Sequence, residues 1–296
     1  MLRFIFLLSL PIYIFAEVVA YDLMKEVEGI NKVHYAKNVI IKKKNRKYSV
    51  TARRAKNTKP LILLAERYLN NDYSDGVIAS KDLIIIRSGK LKGTGVLIKE
   101  FVDSSKSQEY MLWLPALRKV RRIAQPDGDG GLSEVEVAFI EETKLRTVDD
   151  ETHAIVKKEP FSATMGVMTF KYKNRHLKDM PTSTLEIKDR EVYVVESRPN
   201  KSTWYDKRVS YIDSTTYVDY RNEYFFKDKK VKIIDRRWKR AKGFNNIHAY
   251  YWYYWYLKNL ETGYETATYV PDEIISFNQK VKASFWSKRT LSKIKR

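Results

Sequence analysis

After Leu83 most of the chain is rich in β-branched and aromatic residues, and several segments alternate between apolar and polar positions, which is typical of β-strands. In EVYVVESR, Val192 and Val194 share one face while Tyr193 and Val195 share the other. With helices covering one face and apolar residues lining the other, an antiparallel meander of such strands is a half-barrel. The predicted strands are DLIIIRS, TGVLIKEF, EYMLWLP, SEVEVAFI, ATMGVMTFKY, EVYVVESR, KRVSYID, TYVDYRNEYFF, KVKIIDRRW and EIISFN.

The residues before this region predict helices and one hairpin. Residues 18–32 space their apolar side chains three and four apart, as an amphipathic helix does. Residues 39–55 predict a hairpin with Asn45 at the turn. Pro60 followed by LILLAERYLNN favours a short helix, because proline is common at a helix start and asparagine at its end. The apolar positions of the first helix are Val19, Leu23, Val27 and Ile30.

The N-terminus carries an apolar run, FIFLLSLPIYIFA, directly after Arg3. The run is short and contains a proline, so a secretory signal peptide is favoured over an uncleaved anchor. Cleavage after Ala16 ends the run, and Ala20 is the alternative. Because no Gly/Ser/Pro-rich linker follows, we expect residues 1–16 to be a signal peptide and residues 17–296 a single domain.

The chain is strongly basic, with a formal net charge of +20 and a sequence pI near 9.7. Such a surface attracts anionic partners. For an exported chain these are phospholipid headgroups, lipid A or acidic segments of membrane proteins. The sequence has no cysteine, so it has neither a disulfide nor a lipidated cysteine.

The motifs of common enzymes are missing. The histidines, His34, His153, His176 and His248, form no HExxH or HxxxH pair, so no zinc site is predicted. No GxSxG sequence occurs, and the glycines of GKLKGTG match no phosphate-binding loop. Asp127 and Asp129 do not continue into a calcium-binding pattern, so a hairpin tip is favoured there. We expect no catalytic residue, metal or cofactor.

Residues 91–123 contain two blocks in a fixed order. KGTG at residues 92–95 precedes WLPALRKVRRI at residues 113–123. This order resembles the periplasmic family related to the outer-membrane lipoprotein-sorting carriers LolA and LolB. The resemblance implies a carrier or chaperone for an apolar ligand rather than an enzyme.

Weaker matches extend this resemblance to residues 20–296. MGVMTF at residues 165–170 stands where the family has Met-Gly-Ser-Asp-Phe, without the aspartate. Residues 126–151 read as an insertion. The other matching residues are Tyr211, Ile212, Asp213, Glu223, Tyr224, Phe285, Ser287, Arg289 and Leu291.

The resemblance implies a fold, a compartment and partners. The fold is α+β and mainly antiparallel β: a strongly curved, half-open barrel of about ten or more strands with a few covering helices. The compartment is the periplasm, and the ligand is a lipid or lipoprotein acyl chain. The partners are a transporter of the resistance-nodulation-division (RND) type and an anionic membrane surface, with no nucleic acid expected.

The first candidate site is the WLPALRKVRRI block, read as one alternating strand. Its apolar residues would line an acyl-chain cavity, and its cations would dock an anionic headgroup or a membrane partner. Pro115 lacks an amide donor and so predicts an edge or a bulge. A core strand with a solvated basic end is the alternative. The ligand candidates are Leu112, Trp113, Leu114, Pro115 and Leu117, and the docking candidates are Arg118, Lys119, Arg121 and Arg122.

The second candidate site is the run of seven aromatic residues from 250 to 256. As a regular strand it would send Tyr250, Trp252 and Tyr254 to one face, where we expect them to contact a ligand. Ordinary sheet packing is the alternative, because aromatic residues are favoured in strands.

Two other function classes fit parts of the sequence. A nucleic-acid-binding protein would use the basic residues for phosphates and the aromatic run for base stacking, but export argues against it. A cell-envelope hydrolase could act through paired carboxylates alone, and spacing in sequence does not reveal such pairs.

Overall fold

The computed structural model describes residues 6–123, 147–171 and 174–294, with side chains from residue 19 onward. Two α-helices lie in these ranges, α1 (Phe6–Asn31) and α2 (Lys288–Ser292). Four 3-10 turns cover Gly89–Leu91, Val148–Asp150, Asp272–Ile274 and Ala283–Phe285. The strands are β1 (Asn38–Ile41), β2 (Ser49–Arg54), β3 (Leu61–Asn70), β4 (Ile78–Ile86), β5 (Gly95–Phe101), β6 (Glu109–Leu114), β7 (Lys119–Ile123), β8 (Glu151–Met165), β9 (Leu185–Pro199), β10 (Lys207–Asp213), β11 (Asp219–Phe226), β12 (Lys229–Arg240), β13 (Tyr250–Asn259), β14 (Glu265–Tyr269) and β15 (Ile275–Phe277).

All of these strands join one antiparallel sheet. Its main path runs β7-β6-β5-β4-β3-β2-β14-β13-β12-β11-β10-β9-β8, and β1 pairs with β3 and β15 beside this path. The sheet thus consists of two meanders joined where β2 pairs with β14, with Ala52 opposite Ala267. The predicted α+β half-open barrel with covering helices is confirmed.

The position of α1 shows how strongly the sheet curves. Tyr21 bonds Asp149 beside β8, whereas Lys32, directly after α1, bonds Glu100 on β5. Ten strand steps separate β5 from β8, about 48 Å in a flat sheet. Eleven helical residues span only about 16 Å. The sheet therefore wraps around α1, and the face that contacts α1 is the concave face.

Buried clusters on both faces stabilise the curved sheet. On the concave face, Leu23, Met24 and Val27 of α1 pack against Val195 and Ile212. On the convex face, Met168, Leu177 and Met180 pack on the middle strands, in the cluster of buried residues that includes Tyr254. Both faces of β9 are covered as predicted, since Val192 and Val194 belong to a separate convex cluster.

Several predicted elements differ from the structure. The predicted helix at 60–71 is wrong, because those residues form β3, an interior strand paired with β1, β2 and β4. Its burial between neighbours overrides its leucine-rich helix propensity. The hairpin at 39–55 is also wrong: Asn45 does lie in a turn with φ 49°, but β1 and β2 both pair with β3 instead of each other.

Other predictions are partly confirmed. Residues 18–32 are helical through Asn31, and of the four apolar positions only Val19 is exposed, at 43%. ATMGVMTFKY leaves the sheet after Met165. The predicted strand SEVEVAFI lies outside the described residues.

Within the ranges given above, no helix has the length and apolar content needed to span a bilayer. The signal peptide at residues 1–16 and the single domain at residues 17–296 stay predictions.

Candidate functional site

The WLPALRKVRRI block forms a tight hairpin rather than one strand. β6 ends at Leu114 and β7 begins at Lys119, so the prediction of one alternating strand through residues 112–121 is wrong. The amide of Leu117 donates to the carbonyl of Leu114, and Arg118 has φ 47°. Pro115 lies in this turn, which explains why its missing amide is tolerated.

Trp113 lies on the convex face beneath the C-terminus. It is 9% exposed and belongs to the buried cluster that contains Trp286 and Leu291. Gly95 lies opposite Trp113, and a Cβ there would be 2.4 Å from Ile294 Cδ1 and 2.8 Å from Leu291 Cδ1. The KGTG sequence therefore leaves room for α2.

The C-terminal residues that resemble the family take part in the same contact with Gly95 and Trp113. Ser287 caps α2 by accepting a hydrogen bond from the amide of Thr290, and Leu291 is fully buried. The indole of Trp286 donates to the carbonyl of Tyr68 at 2.7 Å. Gly95, Trp113 and Leu291, three of the residues that carry the family resemblance, thus meet one another, and their role at this contact is structural.

The aromatic run on β13 is interrupted by a bulge. Trp238 pairs with Trp252 and Arg237 with Tyr254, so Tyr253 is the extra residue and strict alternation is wrong. Trp252 consequently contacts the cluster of Trp255 on the concave face, whereas Tyr254 and Tyr256 pack on the convex face. Most of these rings are buried, so they form no open platform for stacking bases.

The predicted ligand residues are therefore not brought together. Tyr254 is fully buried on the convex face, where its hydroxyl accepts from the amide of Met168 at 3.1 Å. Burial raises the pKa of its hydroxyl to about 12. Tyr250 is half-buried, and its carbonyl accepts from Tyr35. Leu112 and Leu114 lie two and four residues after Tyr110 on β6, so they share its concave face.

The concave face carries two apolar clusters on opposite sides of the β2–β14 junction. We call the first the aliphatic cluster: Leu63, Ala65, Ile84, Ile86, Ile98 and Tyr110, with Leu91, Val96 and Ile123 packed against it. We call the second the aromatic cluster: Tyr205, Tyr224, Val231, Ile234, Trp255 and Leu257, with Trp204 and Trp252 packed against it. Together they place buried apolar side chains on both walls of the half-barrel.

A buried polar network crosses the same face from β12 to β8. Arg236 pairs with Asp219, and Asn222 donates to Asp219 and accepts from Ser210. These bonds satisfy groups that would be costly to bury alone. The network consists of Arg236, Asp219, Asn222, Ser210, Arg208, Glu151, Ser197 and His153.

Charges in this network shift one another's pKa values. Burial raises the pKa of Glu151, but the Arg208 guanidinium outweighs burial and holds that pKa below its usual range. Burial lowers the pKa of His153, and Arg208 lowers it further, against the opposing effect of the Val148 carbonyl. His153 Nδ1 lies 2.8 Å from Ser197 Oγ, and its Nε2 lies 3.0 Å from the Val148 oxygen.

The C-terminal end of α1 connects the two ends of the sheet. Lys32 pairs with Glu28 and Glu100, and Glu28 accepts from the amide of Val148 at 2.9 Å. Burial lowers the pKa of Lys32, but the two carboxylates outweigh burial and raise it above its usual range. The lysine is therefore charged and held inside the half-barrel.

Six strand connections line one end of the half-barrel. They are residues 55–60, 87–94, 115–118, 200–206, 227–228 and 260–264, which we call the basic rim. The basic rim holds eight lysines and arginines against three carboxylates. It also exposes Leu117 at 50%, and Leu61, Phe226 and Leu260 lie exposed at its borders.

Of the predicted cations, Arg118 lies in this rim and Lys119 adjoins it, whereas Arg121 and Arg122 lie further along β7. Arg118, Lys119, Arg121 and Arg122 are all exposed, and Arg122 pairs with Glu109 at 2.8 Å. Sequence reasoning missed the aliphatic cluster, the polar network and the other rim turns, because their residues come from many separate strands. Within the described ranges, no three His, Asp or Glu side chains lie close enough to hold a metal ion.

Solved structures share this fold. A DUF1329 family protein from Desulfovibrio piger has a TM-score of 0.68 at 16% identity, covering 93% of this chain and 99% of that one. A domain from Vibrio parahaemolyticus, described as an outer-membrane lipoprotein-sorting protein domain, has a TM-score of 0.67 at 17% identity. The similarity covers 94% of this chain and 100% of that one. A LolA-superfamily protein from Nitrosomonas europaea has a TM-score of 0.57 at 10% identity, and the similarity covers 92% of this chain and 98% of that one. At these identities the similarity establishes the fold.

A protein-family model provides a comparison by sequence. The model describes a family of uncharacterized proteins and matches residues 79–293, which is more than half of the chain. The match includes the KGTG and WLPALRKVRRI blocks and the C-terminal motif through Leu291. No curated protein matches the chain.

Proposed function

Since this chain belongs to the family of uncharacterized proteins that matches residues 79–293 and folds as a LolA-like half-barrel, we propose that it is a periplasmic carrier. Its ligand would be a lipid or a lipoprotein acyl chain bound on the concave face. No covalent chemistry is part of this proposal.

The observation that carries the proposal is the aliphatic cluster on the concave face. Ile84, Ile86 and Ile98 are each at most 1% exposed, and they lie beside Leu63 and Tyr110. Each methylene of an acyl chain transferred from water onto this cluster would gain about 0.8 kcal/mol, which is offset in part by the cost of separating the cluster's own contacts. Because the cluster is buried, loading and release require the half-barrel to open, which suits a carrier that exchanges cargo at a partner.

The basic rim supports docking on an anionic membrane. Lys90, Lys92 and Arg118 are exposed in neighbouring turns of the rim, close to the exposed side chain of Leu117. Cations with interspersed apolar side chains favour anionic lipid surfaces, and each cation contributes about 1 kcal/mol near such a surface. An RND-type transporter stays the proposed protein partner on the sequence resemblance alone.

Native mass spectrometry with lipid extraction tests the carrier proposal. The protein would be purified from a periplasmic fraction, and an acyl-containing ligand is expected to co-purify. Leu112→Glu changes a half-buried residue beside the aliphatic cluster and should abolish co-purification. Leu117→Glu makes the same change at the tip of the same hairpin and should leave the ligand in place.

Near-ultraviolet circular dichroism would check that both variants keep their tertiary structure. The absence of any acyl ligand in the wild-type protein, together with failure to take up lipid in solution, would refute the proposal.

A further inference from the structure

A buried arginine without an ion-pair partner lies between the two concave clusters. Arg53 on β2 is 5% exposed, and its Nε and Nη1 have no hydrogen-bond partner. None of the ion pairs formed by the described residues includes it. Because burying a guanidinium without a counter-charge is costly, this arrangement indicates an anionic partner other than the residues that the structure describes.

The register places Arg53 on the concave face. Val50 and Ala52 belong to the convex cluster that contains Tyr254, so Arg53 points the other way. Arg53 lies opposite Leu61 on β3 and Thr266 on β14. Leu61 is the first residue of β3, directly after rim residues 55–60, and is 43% exposed, so the arginine lies just inside that rim.

Other arginines on this face are neutralised by carboxylates. Arg208 pairs with Glu151, Arg236 pairs with Asp219, and Arg67 lies 2.8 Å from Asp82. The adjacent Arg54 also has a partner, Glu265 at 2.6 Å. Arg53 instead has the ring of Tyr264, 5.3 Å away, so none of the described residues supplies an anion that compensates its charge.

The aliphatic cluster begins beside this arginine. Leu63, a member of the cluster, lies opposite Thr51, the next concave residue of β2. Diagonal neighbours in an antiparallel pair are about 7–8 Å apart, within reach of a long side chain. A ligand whose chain lies on the aliphatic cluster would thus bring its polar end to Arg53.

Resting on the proposed carrier function, we propose that Arg53 binds the acidic headgroup of the ligand. The ligand class is then an anionic amphiphile, with an acyl chain on the aliphatic cluster and a carboxylate or phosphate on the guanidinium. Arginine suits both groups, because its planar donors match their oxygens. Neutral lipids would lack this contact and leave the guanidinium unpaired.

Three twelve-carbon probes test this inference by equilibrium dialysis on the delipidated full-length protein. Laurate carries a carboxylate, dodecyl phosphate carries a phosphate, and dodecanol is neutral. The wild-type protein is expected to bind at least one of the two anions at least tenfold more tightly than dodecanol. The preferred anion then identifies the headgroup class.

Variants assign this preference to one residue. Arg53→Met should abolish the preference while leaving dodecanol binding unchanged within twofold, and Arg53→Lys should restore part of it. Arg54→Met removes the same charge from the same strand on the opposite face and should keep the wild-type preference. Removing the unpaired cation should leave the melting temperature of Arg53→Met equal to or above that of the wild type, so loss of folding would not mimic the result.

The outcomes separate the two proposals. If all three probes bind the wild-type protein equally, or if Arg53→Met keeps the preference, the headgroup inference is wrong while the carrier proposal stands. If none of the probes binds, the carrier proposal fails, and the headgroup inference fails with it.

Discussion

The ammonium group of Lys32 lies 2.5 Å from the Glu100 carboxylate, inside the half-barrel and between elements at opposite ends of the sheet. The same lysine pairs with Glu28, which accepts a hydrogen bond from the amide of Val148 next to β8. One cation therefore holds the two sides of the open sheet against α1.

Replacing this cation should be strongly destabilising. Lys32→Met leaves the carboxylates of Glu28 and Glu100 buried without their partner, so we expect a loss of about 3–5 kcal/mol in the free energy of unfolding. Urea denaturation would measure it. Lys25→Met on the exposed side of the same helix should change stability by less than about 0.5 kcal/mol. Equal effects of the two substitutions would contradict the bridging role.

Gly95 should be intolerant of a side chain. Gly95→Ala places a Cβ against Leu291 and Ile294, and the overpacking should cost about 1–3 kcal/mol. Thermal unfolding would measure this cost. Leu291→Ala should destabilise by about 2–5 kcal/mol on its own. If the contact is as described, the double variant is less destabilised than the sum of the two single variants, and simple additivity would argue against it.

Acid should destabilise the protein partly through His153. The folded state lowers the pKa of this imidazole below 6.5, so the unfolded chain binds the proton more readily. The contribution to stability is complete above about pH 6.5 and is lost as pH falls through the folded pKa. The groups facing the imidazole are Ser197, Val148, Arg208, Glu151 and Glu28.

The variant His153→Gln tests this pH dependence. It keeps a hydrogen-bonding side chain but cannot titrate, so its unfolding free energy should fall less between pH 7.5 and pH 5 than that of the wild type. The comparison needs urea midpoints at each pH. Parallel pH profiles for the two proteins would show that His153 does not contribute.

Neutralising the basic rim should weaken membrane binding. The triple variant Lys90→Gln, Lys92→Gln and Arg118→Gln removes three exposed cations, so binding to phosphatidylglycerol vesicles should weaken by about 3 kcal/mol at low salt. Vesicle co-sedimentation would measure this loss. The matched control changes Lys242, Lys280 and Lys282, which lie away from the rim, to glutamine. An equal loss of binding in this control would show that net charge alone, and not the rim, causes the effect.

The sequence identifies the type of fold well because alternation survives in most strands. β9 shows this, since its two apolar faces pack into two clusters as its pattern predicts. Residues 60–71 show the limit, because leucine-rich segments are ambiguous until their neighbours are known. The pairing of β1 and β2 with β3 depends on long-range partners that local turn signals do not reveal.

The candidate site is less predictable for a related reason. Tyr253 is an extra residue in the pairing of β13 with β12, and this one bulge moves Tyr254 and Tyr256 to the face opposite Trp252. A single-residue shift inverts every later side chain, and no residue of the aromatic run marks it. Arg53 is as inconspicuous in the sequence as Arg54, although only one of the two has a carboxylate partner.

The junction of β2 with β14 and of β1 with β15 also constrains how the chain acquires its structure. Val39 pairs with Phe277, and Val50 pairs with Tyr269, so N-terminal strands receive their partners from the last part of the chain. During synthesis, the backbone edges of the first strands would stay unpaired until the last strands of the chain have emerged. Such non-local pairing slows folding and favours aggregation meanwhile. This topology therefore leaves one edge of β1 and one edge of β2 unpaired until the last strands of the chain are available.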